Sequence, residues 1–371
     1  MKITYLCLRI FGTGGGLEKF NCSFIKALSE LSTEHEIQFR AISAYDLFQD
    51  VDPRYCDPNL FDCMEGNRFL FTVRAVRESL RADVLIVAHV NIAPVALLCK
   101  AINPRLKMIT IAYGIDVWGS MTLAKRGLLR LSDRIYAISH YTRDRMARFT
   151  GISADKVEIL PVTIDPYLIQ HEPDSNFRER LGISKNEKVL LTVARLSASE
   201  RYKGYDRVIR SLPLVRERFP NLKYIIVGKG EREEIARISR VISEVGVEEL
   251  VELKGFVSEE NLVNYYNTTD LFIMPSTGEG FGIVFLEALL HGKPVIAGNR
   301  DGSVEALAGG KLGILIEPRD VHAIALAVND VLARNIPPQL LDADYLKNEV
   351  YRLFGYPTFK RRLADLLSRY L

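Results

Sequence analysis

Two glutamates eight positions apart, Glu279 and Glu287, stand in a segment from Ser276 to Ala297 that is first glycine-rich and then apolar. Glu279 lies among Gly278, Gly280 and Gly282, whereas Glu287 follows Ile283, Val284, Phe285 and Leu286 and precedes Ala288, Leu289 and Leu290. In a helical segment the Glu287 carboxylate emerges from a largely apolar surface near the helix start. Ionised groups there are costly unless hydrogen-bonded or paired, so either the protein supplies a cation or a ligand supplies hydroxyl groups. A glutamate that merely complements a helix N-terminus or a salt bridge is the plainer reading.

Arg195 and Lys203 share the stretch Val193 to Gly204, which follows an apolar run. Guanidinium offers fork-like hydrogen bonds and ammonium a mobile point charge, a combination suited to a diphosphate; simple surface solvation is the alternative. Two further loops, Gly228-Lys-Gly230 and Gly255-Phe256-Val257-Ser258, offer backbone contacts to a flat base. Near the N-terminus, Gly12, Gly14, Gly15 and Gly16 separate an apolar run from a helical pattern. Adjacent glycines admit close ligand approach and leave amides facing an anion at a helix start, though a tight structural turn would use them equally. Their spacing fails the G-x-G-x-x-G dinucleotide fingerprint, since the third position falls on Leu17 or Lys19.

These residues need elements to position them. Short, β-branched apolar runs at 3–10, 84–88, 107–112 and 134–138 alternate with helical periodicity at 17–31, 94–101 and 141–149. The pattern begins again, with strands expected at 189–194, 224–227, 251–253, 271–274, 294–297 and 313–316, and helices at 205–218, 231–245, 259–267, 284–291 and 321–333. Continuous apolar strands alternating with helices specify parallel sheets covered on both faces. Ligands of such sheets gather beyond the carboxyl ends of the strands, where every loop named above falls. The junction is expected at Leu160–Pro166 with the polar segment 170–179, giving domains of 1–166 and 167–354; an amphipathic basic helix over about 355–371 can pack on either.

At 371 residues the chain exceeds one ordinary core. With 48% apolar residues, 26% charged residues and a net charge of +3, it reads as a globular protein without a general affinity for nucleic acid. The five cysteines, all within the first hundred residues, show neither a disulfide framework nor zinc-ligand spacing and fit a reducing cytoplasm. The N-terminus reads as a strand and loop rather than a signal peptide. The longest apolar stretch, 84–102, is interrupted by His89, Asn91, Pro94 and Lys100, so any membrane contact is expected to be peripheral.

Taken together, Arg195, Lys203 with Gly204, and Glu279-x7-Glu287 in a chain of two α/β halves resemble the retaining family-4 glycosyltransferases of the GT-B fold. Gly14 to Lys19, Ile138 to Arg143, Ile159 to Asp165 and Gly228 to Gly230 extend the likeness over essentially the whole chain. The resemblance implies two Rossmann-like, doubly wound parallel-sheet domains facing an interdomain cleft, with a nucleotide sugar held mainly by the C-terminal domain. Arg195 and Lys203 would hold the diphosphate and neutralise leaving-group charge, and Glu287 would accept from the ribose hydroxyls. Glu279 with the amides of Gly280, Phe281 and Gly282 would hold the donor sugar, and Gly228 and Phe256 would border the base. Gly14, Gly15 and Gly16 would reach in from the N-terminal side. No metal or other cofactor is expected, because fixed cations can stabilise the departing diphosphate.

One position departs from the family. Where many relatives carry histidine after an N-domain strand, this chain has Tyr113, followed by Gly114 and Asp116. Tyrosine is no base near neutrality without a large pKa shift. His89, at the end of the preceding strand, and Asp116 are candidates for the same site, with a structural role as the alternative for each. The run Tyr113 to Trp118, together with Gly278 to Glu287 and Asp301 to Ser303, looks most like mannosyltransferases of bacterial exopolysaccharide assembly, which use GDP-mannose and a polyprenyl-diphosphate-linked glycan; a UDP-sugar is the other donor class.

Between Lys125 and Arg148, seven cations (Lys125, Arg126, Arg130, Arg134, Arg143, Arg145, Arg148) face two acids, Asp133 and Asp144, and Arg68, Arg74, Arg77 and Arg81 form a second stripe. Such stripes suit an anionic leaflet or a lipid diphosphate, or a solvated helix face. A nicotinamide oxidoreductase lacks its glycine fingerprint, a GT-B epimerase needs its own acid and base, and a non-catalytic sugar-nucleotide sensor has no need of the full set of Arg195, Lys203, Glu279 and Glu287.

Overall fold

The structure, a computed structural model, describes residues 1–12, 14–168 and 174–370, so part of the expected junction segment lies outside the described residues. The chain divides into two compact units, Met1–Pro166 with Phe354–Leu371, and Tyr167–Leu353.

In the first unit seven parallel strands run β3-β2-β1-β4-β5-β6-β7: β1 (Lys2–Cys7), β2 (Gln38–Ser43), β3 (Phe61–Cys63), β4 (Val84–Val87), β5 (Lys107–Ala112), β6 (Arg134–Ala137) and β7 (Val157–Ile159). The central strands are buried on both faces, β4 without a single exposed residue, which is why their sequences are continuously apolar rather than alternating. Between the strands lie α1 (Gly16–Glu34), α2 (Arg68–Ser79), α3 (Ala93–Ile102), α4 (Leu123–Leu131) and α5 (His140–Thr150). Strands β2, β3 and β7 are additional to those read from the sequence. In β2 the apolar Phe39, Ala41 and Ile42 are mixed with Gln38, Arg40 and Ser43, and β3 and β7 have only three residues each, too few for a period to show.

The second unit repeats the plan with six parallel strands, β10-β9-β8-β11-β12-β13. These are β8 (Lys188–Val193), β9 (Leu222–Val227), β10 (Val251–Gly255), β11 (Leu271–Met274), β12 (Val295–Gly298) and β13 (Ile314–Ile316). Its helices are α6 (Phe177–Arg180), α7 (Tyr205–Arg216), α8 (Arg232–Val245), α9 (Glu259–Thr268), α10 (Ile283–Leu290), α11 (Ser303–Ala306), α12 (Val321–Leu332) and α13 (Ala343–Phe354). All six strands expected from the sequence are present.

The last helix, α14 (Tyr356–Leu367), belongs to the first unit. The carbonyl of Phe354 accepts hydrogen bonds from the Ile164 amide at 3.0 Å and the Thr163 hydroxyl at 2.8 Å. Phe359, 3% exposed, packs edge-on against Phe20 and Phe24 of α1, with ring centroids 5.6 and 6.3 Å apart. Lys360 adds ion pairs to Glu30 at 2.9 Å and Glu34 at 2.5 Å. Partly exposed pairs of this kind are worth at most about 1 kcal/mol each, whereas a buried phenylalanine is worth about 3–5 kcal/mol against alanine, so the aromatic cluster is the main attachment. Among the described residues no helix is long and apolar enough to cross a membrane.

Trp118, the only tryptophan, lies in the first unit and reports on it alone. Phe359→Ala is expected to lower the stability of that unit by roughly 3 kcal/mol, read as an earlier urea midpoint in Trp118 fluorescence. An unchanged midpoint contradicts the attachment.

Candidate functional site

Because the strands of the second sheet are parallel, the loops that follow them share one edge. The loop after β8 bonds to the loop after β9, the Leu196 amide donating to Lys229 O at 2.9 Å and the Glu231 amide to Leu196 O at 2.8 Å. The loop after β9 meets the end of β10 through the Gly228 amide and Gly255 O at 2.8 Å. The loop after β11 returns to the first through the Thr277 amide and Tyr202 O at 2.9 Å. Gly228 has φ +147°, and a methyl group on it would sit 2.0 Å from the carbonyl oxygen of Ala194; only glycine lets these loops close.

Within this frame the cations and carboxylates alternate. The Lys203 ammonium is 2.5 Å from a Glu279 carboxylate oxygen and 3.6 Å from Glu200, and Arg195 reaches the other oxygen of Glu200 at 3.5 Å. The side chains of Lys203 and Glu279 are 14% and 12% exposed, that of Arg195 65%. Burial alone would lower the Lys203 pKa, but the charge of Glu279, then Tyr202 and Glu200, raises it well above the usual lysine range. The ammonium is therefore fixed as a cation.

Glu279 is held by its backbone as well. Its amide donates to Asp301 Oδ2 at 2.7 Å, the same oxygen that accepts from the Ser276 hydroxyl at 2.7 Å, while Gly302 donates to the Glu279 carbonyl at 2.9 Å. Burial raises the Asp301 pKa, against the hydrogen bonds from Ser303, Glu279 and Ser276 that lower it. A methyl group on Gly302 would meet the Gly280 carbonyl at 2.1 Å. Phe281 is 1% exposed with its ring in the core, so it presents only backbone to the loop, and Gly282, with φ +92°, starts α10.

Glu287 is 3% exposed and accepts a hydrogen bond from the Tyr266 hydroxyl at 2.8 Å. In this apolar setting a tyrosine hydroxyl is one partner of the carboxylate. His291 stacks on the same tyrosine with centroids 5.2 Å apart; burial, opposed by the Glu287 charge, lowers its pKa to about 4. Phe256 stands 73% exposed beyond β10.

Sequence reading missed three supports of this site: Glu200 between the two cations, the Asp301–Ser276 lock beneath Glu279, and a buried ion cluster around Glu234 on α8. Asp301 was visible only as part of the resemblance. Glu234 sits in a run of charges, Glu231 to Glu234, that reads as a solvated helix start.

In the first unit the candidates cluster at the carboxyl ends of the adjacent strands β1, β4 and β5. Gly15 caps α1, and the turn before it is tied down by Asp46, which accepts from the Ile10 and Phe11 amides at 2.9 and 2.8 Å. Gly14 and Gly16 are exposed. The Tyr113 hydroxyl donates to Asn21 Oδ1 of α1 at 2.8 Å, and Tyr5 donates to the same oxygen; burial raises the Tyr113 pKa well above its usual value. Tyr113 is thus a buttress of α1 by its hydroxyl. Its ring stacks with His89, centroids 6.4 Å apart.

His89 accepts the Asn91 amide on Nδ1 at 3.1 Å. Burial, and secondly the charge of Lys125, bring its pKa down to about 4. At neutral pH the ring is uncharged, and with Nδ1 accepting, its proton sits on Nε2: it offers a hydrogen-bond donor. Burial pushes the Asp116 carboxyl up to about 6, opposed by the Gly114 amide donating to Oδ1 at 2.7 Å. The other Asp116 oxygen is buried without a hydrogen-bond partner among the described residues. Also among these residues, no group of three or more His, Cys, Asp or Glu is arranged to hold a metal ion.

Comparison with known proteins extends this picture. Residues 14–167 match the family described as Glycosyltransferase Family 4, and residues 173–345 the one described as Glycosyl transferases group 1. The chain is 35% identical over 294 residues, 74% of each chain, to a GDP-mannose-dependent alpha-(1-6)-phosphatidylinositol monomannoside mannosyltransferase of Mycolicibacterium smegmatis. A D-inositol 3-phosphate glycosyltransferase of Corynebacterium urealyticum is 31% identical over 226 residues, 58% of this chain and 52% of that one. Among solved structures, Anabaena HepE in complex with UDP and glucose matches over 100% of both chains with a TM-score of 0.78 at 20% identity. Two Rossmann-like parallel-sheet units of seven and six strands, with this likeness, define the GT-B class. Within that class the chain belongs to the family-4 glycosyltransferases.

The His89 pKa has a measurable consequence. The folded state binds this proton more weakly than the unfolded chain, whose histidine titrates near about 6.5, so the linked stability is intact above that pH and is lost as pH falls toward about 4. His89→Gln is expected to flatten that part of the acid-denaturation curve. A His89 imidazole titrating near its ordinary value in NMR contradicts the assignment.

Proposed function

We propose that this glycosyltransferase moves mannose from GDP-mannose, with retention of anomeric configuration, onto a glycan carried by a lipid. One observation carries the donor reading: the chain shares 35% identity across 74% of its length with an enzyme whose description is GDP-mannose-dependent. The alternation of Arg195, Glu200, Lys203 and Glu279 supports the chemistry. A diphosphate takes the place of Glu200 against Arg195 and Lys203, and their charge stabilises the leaving group without a resident metal. Glu279 then turns to the transferred sugar, with the amides of Gly280, Phe281 and Gly282 beside it. Glu287 accepts from the ribose, Gly228 and the exposed ring of Phe256 border the base, and the departing phosphate takes the acceptor proton on the face it leaves. In the first unit His89 donates through Nε2, Asp116 accepts, and Gly14 to Gly16 offer amides. Tyr113 supports α1 rather than contacting substrate through its hydroxyl.

The acceptor in this reading is a glycolipid or a polyprenyl-diphosphate-linked glycan of exopolysaccharide assembly, reached by peripheral contact at the inner face of the cytoplasmic membrane. Helices α2, α3 and α4 pack side by side and expose Phe69 (74%), Leu80 (56%), Leu98 (42%) and Leu123 (88%) beside the exposed Arg68, Arg77, Arg81, Arg126 and Arg130. Other members of the basic stripes are occupied: Arg74 pairs with Asp62 and Arg143 with Asp144, and Arg145 lies over the Trp118 ring at 4.8 Å. The membrane-facing charge is therefore smaller than the sequence count implies.

GDP-mannose is expected to raise the melting temperature and UDP-sugars not to; stabilisation by a UDP-sugar alone overturns the donor. Arg195→Ala and Glu287→Ala should weaken nucleotide binding by about tenfold or more, and Glu279→Ala should mainly lower kcat, by roughly a hundredfold. Full activity in all three folded variants defeats the site assignment. For the acceptor side, co-sedimentation with vesicles containing anionic lipid should fall with salt and with Arg126→Glu/Arg130→Glu; equal binding to neutral vesicles contradicts the surface.

A further inference from the structure

We propose that Glu234 is a positioning residue for donor binding, holding the segment that carries Lys203 so that its ammonium meets the second phosphate of the nucleotide. The inference rests on the donor-site reading above.

Glu234 is the third residue of α8 and has no solvent exposure. One of its oxygens accepts from Arg201 Nε at 2.8 Å; the other accepts from the Tyr205 hydroxyl at 2.8 Å and from Arg237 at 2.9 and 2.7 Å. Arg237 continues to Asp206 at 3.0 Å. Two cations and two carboxylates thus close a neutral cluster. Arg201 and Tyr205 stand two residues before and two residues after Lys203, so a single carboxylate grips the chain on both sides of the lysine.

The segment needs such a grip. Ala198–Lys203 is not a regular helix: its backbone leaves helical geometry at Glu200, and it ends at Gly204 with φ +79°. A methyl group on Gly204 would lie 2.4 Å from the Pro275 carbonyl, which fixes the exit of the segment. The Glu234 cluster fixes its approach. Because α8 starts directly after the loop that bonds to Leu196, the same carboxylate also ties that loop to the lysine. A buried ion cluster contributes little net stability compared with apolar packing of the same volume, and a carboxylate near a helix N-terminus is worth only about 0.3–1 kcal/mol. Stability alone therefore does not account for four donors converging on one oxygen pair beneath the binding loop.

The test compares dissociation constants for the nucleoside diphosphate and monophosphate, using GDP and GMP or UDP and UMP according to which the wild type binds. Glu234→Gln is expected to weaken the diphosphate by about tenfold, equivalent to about 1.4 kcal/mol, and to leave the monophosphate unchanged. Donor KM should rise with kcat held within about threefold, and Glu234→Asp should recover part of the loss. Arg201→Ala, at a half-exposed position, gives the same selective loss if Glu234→Gln does not fold. Glu244→Gln, which breaks the exposed α8 pair with Arg210, should change neither constant. Equal weakening of both nucleotides, or of neither, overturns the positioning role. If Lys203→Ala itself spares the diphosphate, the donor-site reading falls and takes this inference with it; if Lys203→Ala is selective and Glu234→Gln and Arg201→Ala are not, only the inference falls.

Discussion

The second unit is governed by how closely its strand-following loops approach one another. At Gly228 and Gly302 a hypothetical Cβ would lie 2.0 and 2.1 Å from a neighbouring carbonyl oxygen, well inside van der Waals contact. Backbone therefore packs on backbone, and each loop determines the position of the next. A group carried by such a loop has little freedom to lose when a ligand arrives, and preorganisation of this kind lowers the cost of binding. The backbone of Glu279, held through its amide and its carbonyl, shows the result most clearly.

The electrostatics follow from that geometry. Arg195, Glu200, Lys203 and Glu279 form an alternating series that is balanced without a ligand, so the positive charge at the strand ends is stored against internal partners. The first unit contrasts with this. Its polar groups are mostly engaged with backbone or core: Asp46 with two amides, Tyr113 with Asn21, and His89 kept neutral by burial. At the strand ends the second unit pairs opposite charges, whereas the first holds its groups by hydrogen bonds to backbone and core.

Much of this was legible in the sequence, for identifiable reasons. Strands buried on both faces leave continuous apolar runs, and β8, β9, β11 and β12 of the second sheet were visible that way. The first sheet hid β2, β3 and β7, because the edge strands β3 and β7 have only three residues each and the interior β2 mixes polar residues with apolar ones. Loops rich in glycine around Glu279 and Gly228 announced themselves because close approach demands a particular residue type. The partners of the charged residues did not. That Glu287 meets the Tyr266 hydroxyl, and that Glu234 is buried rather than solvated, depends on tertiary neighbours distant in the chain. Resemblance supplied the family, and the structure supplied the partners.

The return of α14 to the first unit carries a consequence for synthesis. Phe359 closes the aromatic cluster of Phe20 and Phe24, yet it is translated after the whole of the second unit. At about 5–20 residues per second, the N-terminal sheet waits tens of seconds on the ribosome with that face of α1 uncovered. A chain truncated shortly before Phe354 would keep nearly all of the second unit but leave the first without the ring that covers Phe20 and Phe24.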